Sequence, residues 1–179
     1  MLFLVFRHDA RPQRRKVVKA TEVMPLDKWT LTFPEGWGAA GPLQLTGLKA
    51  WKDLPLGDEG RAFSGTATYE TSLQIDTKKR GQQYVLRLGE VEEIAVVKVN
   101  GEIADTLWAA PYQTDITPHL RRGSNTIAIE VTSTWFNRLV YDAAQPKEQR
   151  RTWVINGPSE KESLRPSGLL GPVELVKQQ

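Results

Sequence analysis

Six tryptophans are spread over the 179 residues: Trp29, Trp37, Trp51, Trp108, Trp135 and Trp153. A sugar presents C–H faces that stack on flat aromatic rings, and hydroxyls that need directed donors and acceptors. Stretches that set aromatic rings beside such side chains are therefore the first candidates for a ligand. Trp108 lies just ahead of Pro111-Tyr112 at the end of a strand. Trp135, Asn137, Arg138 and Asp142 follow a second strand, with Arg150 and Trp153 just beyond. Loops at one end of a β-sandwich are where such folds commonly meet ligands. The candidate carbohydrate-contacting set is thus Trp108, Tyr112, Trp135, Asn137, Arg138, Asp142 and Trp153. Each has a second role open to it. Any one tryptophan can plug the core, with its N–H satisfied locally. Asn137 and Arg138 can tie down their loop through backbone carbonyls, or pair with Asp142. Asn100 and Asn125 stand near glycines at turn positions and are assigned to turns.

Catalytic signatures are lacking. The two histidines, His8 and His119, have no metal-ligand spacing, and there is no cysteine. No glycine-rich phosphate loop and no nucleophile elbow is found. Carboxylates are plentiful, so a pair at glycosidase spacing stays open on sequence alone. No cofactor is expected. A structural calcium is the one metal left open, at Asp53, Asp58 and Glu59 or at Glu90, Glu92 and Glu93. Neither group has the spacing of a calcium loop, and a solvated acidic surface is the favoured reading.

The elements that must position these residues are strands. A length of 179 residues fits one domain with a short appendage, able to bury a core without disulfides. The net charge is +3, with Arg7, Arg11, Arg14, Arg15, Lys16 and Lys19 crowded into the first twenty residues. A basic run without a binding fold reads as a solvated connector, so no nucleic-acid partner is expected. No apolar stretch is long enough to span a bilayer, so no membrane partner is expected. The apolar start 1–6 is too short for a signal core, and its basic residues follow rather than precede it.

Period-two alternation predicts strands over 2–7, Lys16–Thr21, Trp29–Phe33, Thr66–Ile75, Tyr84–Leu88, Glu93–Val99, Glu102–Leu107, Thr126–Thr132, Arg151–Ile155 and Val173–Val176. Asn100-Gly101 is a two-residue hairpin turn. A further short strand is expected near Leu43–Leu45, because 34–66 is too long for a featureless loop. Almost no helix is expected. The fold class is all-β, a β-sandwich. Residues 1–20 read as a strand and basic connector, and 21–179 as the sandwich domain.

Several motifs in order add a resemblance. They are Phe63-Ser64-Gly65-Thr66-Ala67-Thr68-Tyr69, Leu86-Arg87-Leu88-Gly89-Glu90-Val91, Val97-Lys98-Val99-Asn100-Gly101, and Asp115-Ile116-Thr117 with Gly123-Ser124-Asn125-Thr126-Ile127. Together they resemble the sugar-binding jelly roll, galactose-binding-domain-like, of glycoside hydrolases of the family 2 type. Thr134-Trp135-Phe136-Asn137-Arg138-Leu139 and Pro166-Ser167-Gly168-Leu169-Leu170-Gly171-Pro172-Val173 resemble the C-terminal region of family 106-like α-L-rhamnosidases. There the first motif continues Ile-Gly-Asp, where this chain has Val140-Tyr141-Asp142. Phe3-Leu4-Val5-Phe6-Arg7 is similar to a strand ending the preceding domain of such enzymes. The resemblance implies jelly-roll topology and a non-catalytic carbohydrate-binding or accessory domain, with the catalytic acids elsewhere in a parent enzyme. The partners it implies are a polysaccharide or oligosaccharide and that parent's catalytic domain. It also implies a secreted or periplasmic parent. The alternative is a purely structural domain packed on a catalytic barrel, with no sugar site of its own.

Overall fold

A computed structural model describes residues 20–39, 41–76 and 81–179. Six strands form one sheet, in the spatial order Leu43–Leu45 (β3), Trp29–Thr32 (β2), Thr66–Ile75 (β4), Gly123–Thr132 (β9), Ile94–Val99 (β6) and Glu102–Leu107 (β7). The second sheet runs Ala20–Pro25 (β1), Glu174–Gln178 (β11), Gln83–Glu92 (β5) and Gly168–Gly171 (β10), with Tyr112–Asp115 (β8) also on β5. Every pairing is antiparallel. This is an all-β sandwich, as the alternating patterns imply. Two short α-helices, Asp58–Arg61 (α1) and Phe136–Ala143 (α2), lie in the connections.

The core follows from the alternation. Ala67, Tyr69, Leu73 and Ile75 of β4 are buried, as are Ile127, Ile129 and Val131 of β9 and Ala95, Val97 and Val99 of β6. Tyr84, Leu86, Leu88 and Val91 of β5 face them from the other sheet. A one-residue slip would turn each row out to water, so β4 and β9 hold register from Thr66↔Thr132 to Ile75↔Gly123. Trp29 and Trp51 belong to this core rather than to any ligand surface, at 2 % and 0 % exposed.

Turn chemistry fixes the ends. Asn100 and Gly101 have φ of 54° and 86°, the left-handed pair that the β6–β7 hairpin requires. The Asn100 amide also donates to the His119 carbonyl and to Asn125 Oδ1, each at 2.9 Å. Asn125 is fully buried and donates to the Arg121 and Gly123 carbonyls at 2.8 and 3.0 Å. The two asparagines close their turns and each other. Two motifs far apart in sequence meet where Gly89 of β5 opposes Gly171 of β10. A Cβ on Gly89 would lie 2.3 Å from the Gly171 carbonyl carbon, so no other residue lets these backbones approach.

The differences from expectation have physical reasons. Residues 136–143, expected as loop, form α2; the apolar period of Phe136, Leu139, Val140 and Ala143 spans only about two turns, too short to stand out in the sequence. Residues 151–155 form no strand; Trp153 and Ile155 are each 81 % exposed and no strand pairs with them. β8 and β10 were not expected, being four residues each and flanked by proline or glycine. The expected strand over 2–7 and the connector before residue 20 lie outside the described residues, while β1 begins where the expected strand 16–21 ends.

One buried polar node joins the sheets. The Trp51 indole N–H donates to the Tyr69 hydroxyl at 2.7 Å, and the Leu169 N–H donates to the same oxygen at 3.1 Å. Burial pushes the Tyr69 phenol up to about 12, against the lowering effect of those two bonds. Tyr69→Phe removes the acceptor and leaves two buried donors unpaired. We expect it to lower stability by about 2–4 kcal/mol, read from the midpoint of urea unfolding.

Candidate functional site

The candidate site is built where β9 leaves the six-stranded sheet. The Ser133 N–H donates to the Gly65 carbonyl at 3.0 Å, clipping the exit of β9 to the entrance of β4. Trp135 then stands at the N-cap of α2. The Arg138 N–H donates to Ser64 Oγ at 3.1 Å. Asn137 reads the backbone of Arg165 twice: its amide donates to that carbonyl at 2.9 Å, and its Oδ1 accepts from that N–H at 2.8 Å. The helix is thereby locked between the β3–β4 connection and the strand-free segment that precedes β10.

Arg138 is the centre of this lock. Its side chain is 1 % exposed. Nη1 lies 2.8 Å from Glu59 Oε1 and Nη2 lies 2.7 Å from Asp142 Oδ1, one turn along the helix. Its Cζ stands 5.2 Å from the ring centroids of both Trp37 and Tyr141. Burial alone would lower the guanidinium's proton affinity, but the two carboxylates outweigh it and hold its pKa above the usual value. Burial likewise resists ionisation of Asp142. Its contacts with Arg138 and with the Thr152 side chain and backbone prevail, and its pKa falls below the usual carboxylate value. Asp142 Oδ2 accepts from the Arg151 N–H at 3.1 Å, the Thr152 N–H at 2.7 Å and Thr152 Oγ1 at 2.6 Å.

A tryptophan platform rests on this charged base. The Trp135 ring meets Trp37 edge-on, with centroids 5.7 Å apart and planes at 66°. Arg151 also lies over the Trp37 ring, at 5.2 Å, and donates to the Gly36 carbonyl. Trp37 is therefore contacted by two guanidiniums and by Trp135, which itself stays 48 % exposed. Asp142 of this charged base also lines, with Arg150, Thr152 and Trp153, a cavity of about 120 Å³.

The sequence set is thus divided by the fold. Trp135 is joined to Arg138 and Asp142 through Trp37, and Trp153 shares a cavity lining with Asp142. Asn137, Arg138 and Asp142 are buried, and their hydrogen bonds and ion pairs go to backbone, helix and loop, the second role open to them in the sequence. Trp108 is 62 % exposed at the end of β7, and the Tyr112 hydroxyl donates to the Glu93 carbonyl at 3.0 Å. Neither makes a ring contact with the Trp135 group. Trp37, Glu59 and Arg151 complete the site and were not in the sequence set. Of the carboxylates considered for calcium, Glu59 pairs with Arg138 and Asp53 pairs with Lys52 at 2.9 Å. Among the described residues no group of three or more His, Asp and Glu is placed to hold a metal.

Removing one partner from a buried ion pair leaves the other uncompensated. Arg138→Met should therefore cost about 3–5 kcal/mol of stability, measured by urea unfolding. The pH dependence has a definite sign. A carboxyl whose folded pKa lies below its unfolded value of about 3.9 contributes stability present above that value, lost as pH falls through the folded pKa. Wild type should lose stability on acidification below about pH 4. Asp142→Asn should be less stable at neutral pH and show a shallower acid limb, read from thermal melts across pH.

The family model described as glycosyl hydrolase 2 galactose-binding domain-like matches residues 57–167. A rhamnosidase from Novosphingobium sp. PP1Y superposes with a TM-score of 0.79 at 34 % identity, over 95 % of this chain and 16 % of that one. A Formosa agariphila protein named "Putative beta-glucuronidase" is 32 % identical over 180 residues, 86 % of this chain and 15 % of its own length. A β-D-glucuronidase from Dictyoglomus thermophilum, at 20 % identity and a TM-score of 0.63, shares the fold. The chain thus spans only a small part of these relatives.

Proposed function

The chain belongs to the glycosyl hydrolase 2 galactose-binding domain-like family, and we propose that it serves as a non-catalytic accessory domain of a larger glycoside hydrolase. In that role it holds a carbohydrate chain against the Trp135 platform. The observation that carries the reading is an exposed tryptophan whose ring is fixed from behind. Trp135 abuts Trp37, and Trp37 lies against Arg138 and Arg151. A sugar face stacking on a ring already held in place loses little ordering entropy on the protein side. The cavity edged by Thr152, Arg150 and Trp153 supplies hydroxyl, guanidinium and a second ring for the next sugar along.

The accessory role is supported by the relatives, in which this domain occupies 15–16 % of the chain. A catalytic domain of that parent is the protein partner the reading implies, and an exported parent fits a polymer substrate. No helix among the described residues is long and apolar enough to cross a membrane.

A second reading has an observation of its own. Trp153, Val154 and Ile155 are consecutive and 81 %, 44 % and 81 % exposed. Such a run suits packing on another domain, which is the purely structural role.

Affinity electrophoresis separates the two readings. Wild type should be retarded in gels containing a polysaccharide, tested across rhamnogalacturonan, arabinan, xylan, mixed-linkage β-glucan and galactan. Trp135→Ala, folded as judged by its thermal melt, should lose roughly ten-fold or more in apparent affinity, the loss expected for truncating an aromatic anchor. No retardation by any polymer would leave the structural role as the better reading.

A further inference from the structure

We infer that the carbohydrate taken by this platform is acidic, bearing carboxylate or sulfate groups. The inference deepens the carbohydrate reading and rests on it. Three arginines, Arg150, Arg151 and Arg165, stand on the connection that follows α2, and none has a carboxylate closer than 3.6 Å. Arg165 lies flat on Phe136, the residue after Trp135, with its Cζ 3.5 Å from the ring centroid, and it forms no ion pair among the described residues. Its backbone is fixed by Asn137, so the guanidinium is presented from a held position. Arg151 has a 46 % exposed side chain and approaches Glu59 only at 3.6 Å. That carboxylate is already taken by Arg138 at 2.8 Å. Arg150 donates from Nε and Nη2 to the Gln145 and Ala143 carbonyls, which hold its charge at the cavity mouth beside Trp153.

Two surface lysines differ in this respect. Lys98 touches Glu130 at 2.5 Å, and Lys177 touches Glu22 at 2.7 Å. The groove on the outer face of the six-stranded sheet contains the first of these pairs together with Glu70 and Arg121, so its two cations and two anions cancel and it offers an anion no net charge. Around Trp135 the guanidiniums instead lie on aromatic rings or backbone carbonyls. Arginine on an aromatic face keeps its planar donors free at the edge, where they meet the oxygens of an acid group in pairs. Trp135 would take the sugar face, and Arg165 or Arg151 the acid group. Glu59 and Asp142 do not oppose this, since both are bound to the buried Arg138.

The test uses the whole chain in affinity gels containing polygalacturonate, sulfated galactan, dextran sulfate or neutral galactan, at low and at high salt. The expected result is retardation by polygalacturonate or sulfated galactan at least about ten-fold stronger than by neutral galactan, weakening with salt. Which of the two retards more identifies the acid group. Arg165→Gln should reduce the acidic-polymer retardation several-fold with an unchanged thermal melt. Arg165→Lys should recover part of it. Equal retardation by neutral galactan would overturn the inference while leaving carbohydrate binding intact. Retardation by dextran sulfate that Trp135→Ala leaves unchanged would show mere charge adhesion, and would overturn it as well. No retardation by any polymer would remove the carbohydrate reading itself.

Discussion

A buried guanidinium must be answered by charge from every side, and Arg138 imposes that condition on this domain. At 1 % exposed it requires Glu59 from α1 and Asp142 from its own helix. Each carboxylate in turn fixes something else. Asp142 gathers the backbone of residues 151 and 152, and Glu59 faces Arg151. Through these contacts one side chain decides where the β2–β3 connection, both helices and the irregular segment after α2 can lie. Apolar residues in place of Arg138 and both its carboxylates could pack as well, but they could not specify four partners at once. In this domain the buried charge serves placement rather than stability.

The sheets supply what that arrangement is fixed to. β4 and β9 run in unbroken register, and their ends are clipped by Ser133 and Gly65. A helix following such a strand starts from a known point and direction. The Tyr69 hydroxyl ties Trp51, in the same connection that carries α1, to β10 at the other sheet. The Trp135 platform is therefore reached by two routes from the core, one through β9 and one through the Trp51 turn. An aromatic ring displayed on a long connection would otherwise be free to rotate away from a ligand.

The sandwich was legible in the sequence because strand burial writes itself at period two. Ala67, Tyr69, Leu73 and Ile75 alternate with polar residues, and β4 and β7 have the bounds expected of them. Asn100-Gly101 states its turn outright through positive φ. The site was legible only in part. Trp135, Arg138 and Asp142 could be grouped by nearness in sequence. That Arg138 faces inward could not, because the apolar period of α2 falls on Phe136, Leu139, Val140 and Ala143, while Asn137, Arg138 and Asp142 are buried alongside it. An arginine and an aspartate four residues apart were the signal available, since that spacing puts them on one helical face. Trp37, Glu59 and Arg151 come from segments 79 to 115 residues apart from their partners, and no local pattern records such a meeting.

The family pattern and the physical reading meet at one departure. Where the resembling enzymes continue with a glycine, this chain has Tyr141, and the structure gives the tyrosine a task. Its ring stands 5.2 Å from the Arg138 guanidinium, on which Trp37 also lies. A glycine there would leave one side of the buried charge without its aromatic neighbour, and would weaken the helix that carries it. The substitution therefore strengthens the base beneath Trp135 rather than altering what Trp135 can touch. The buried charge is thus invested in a single platform, which is the feature the proposed accessory role draws on.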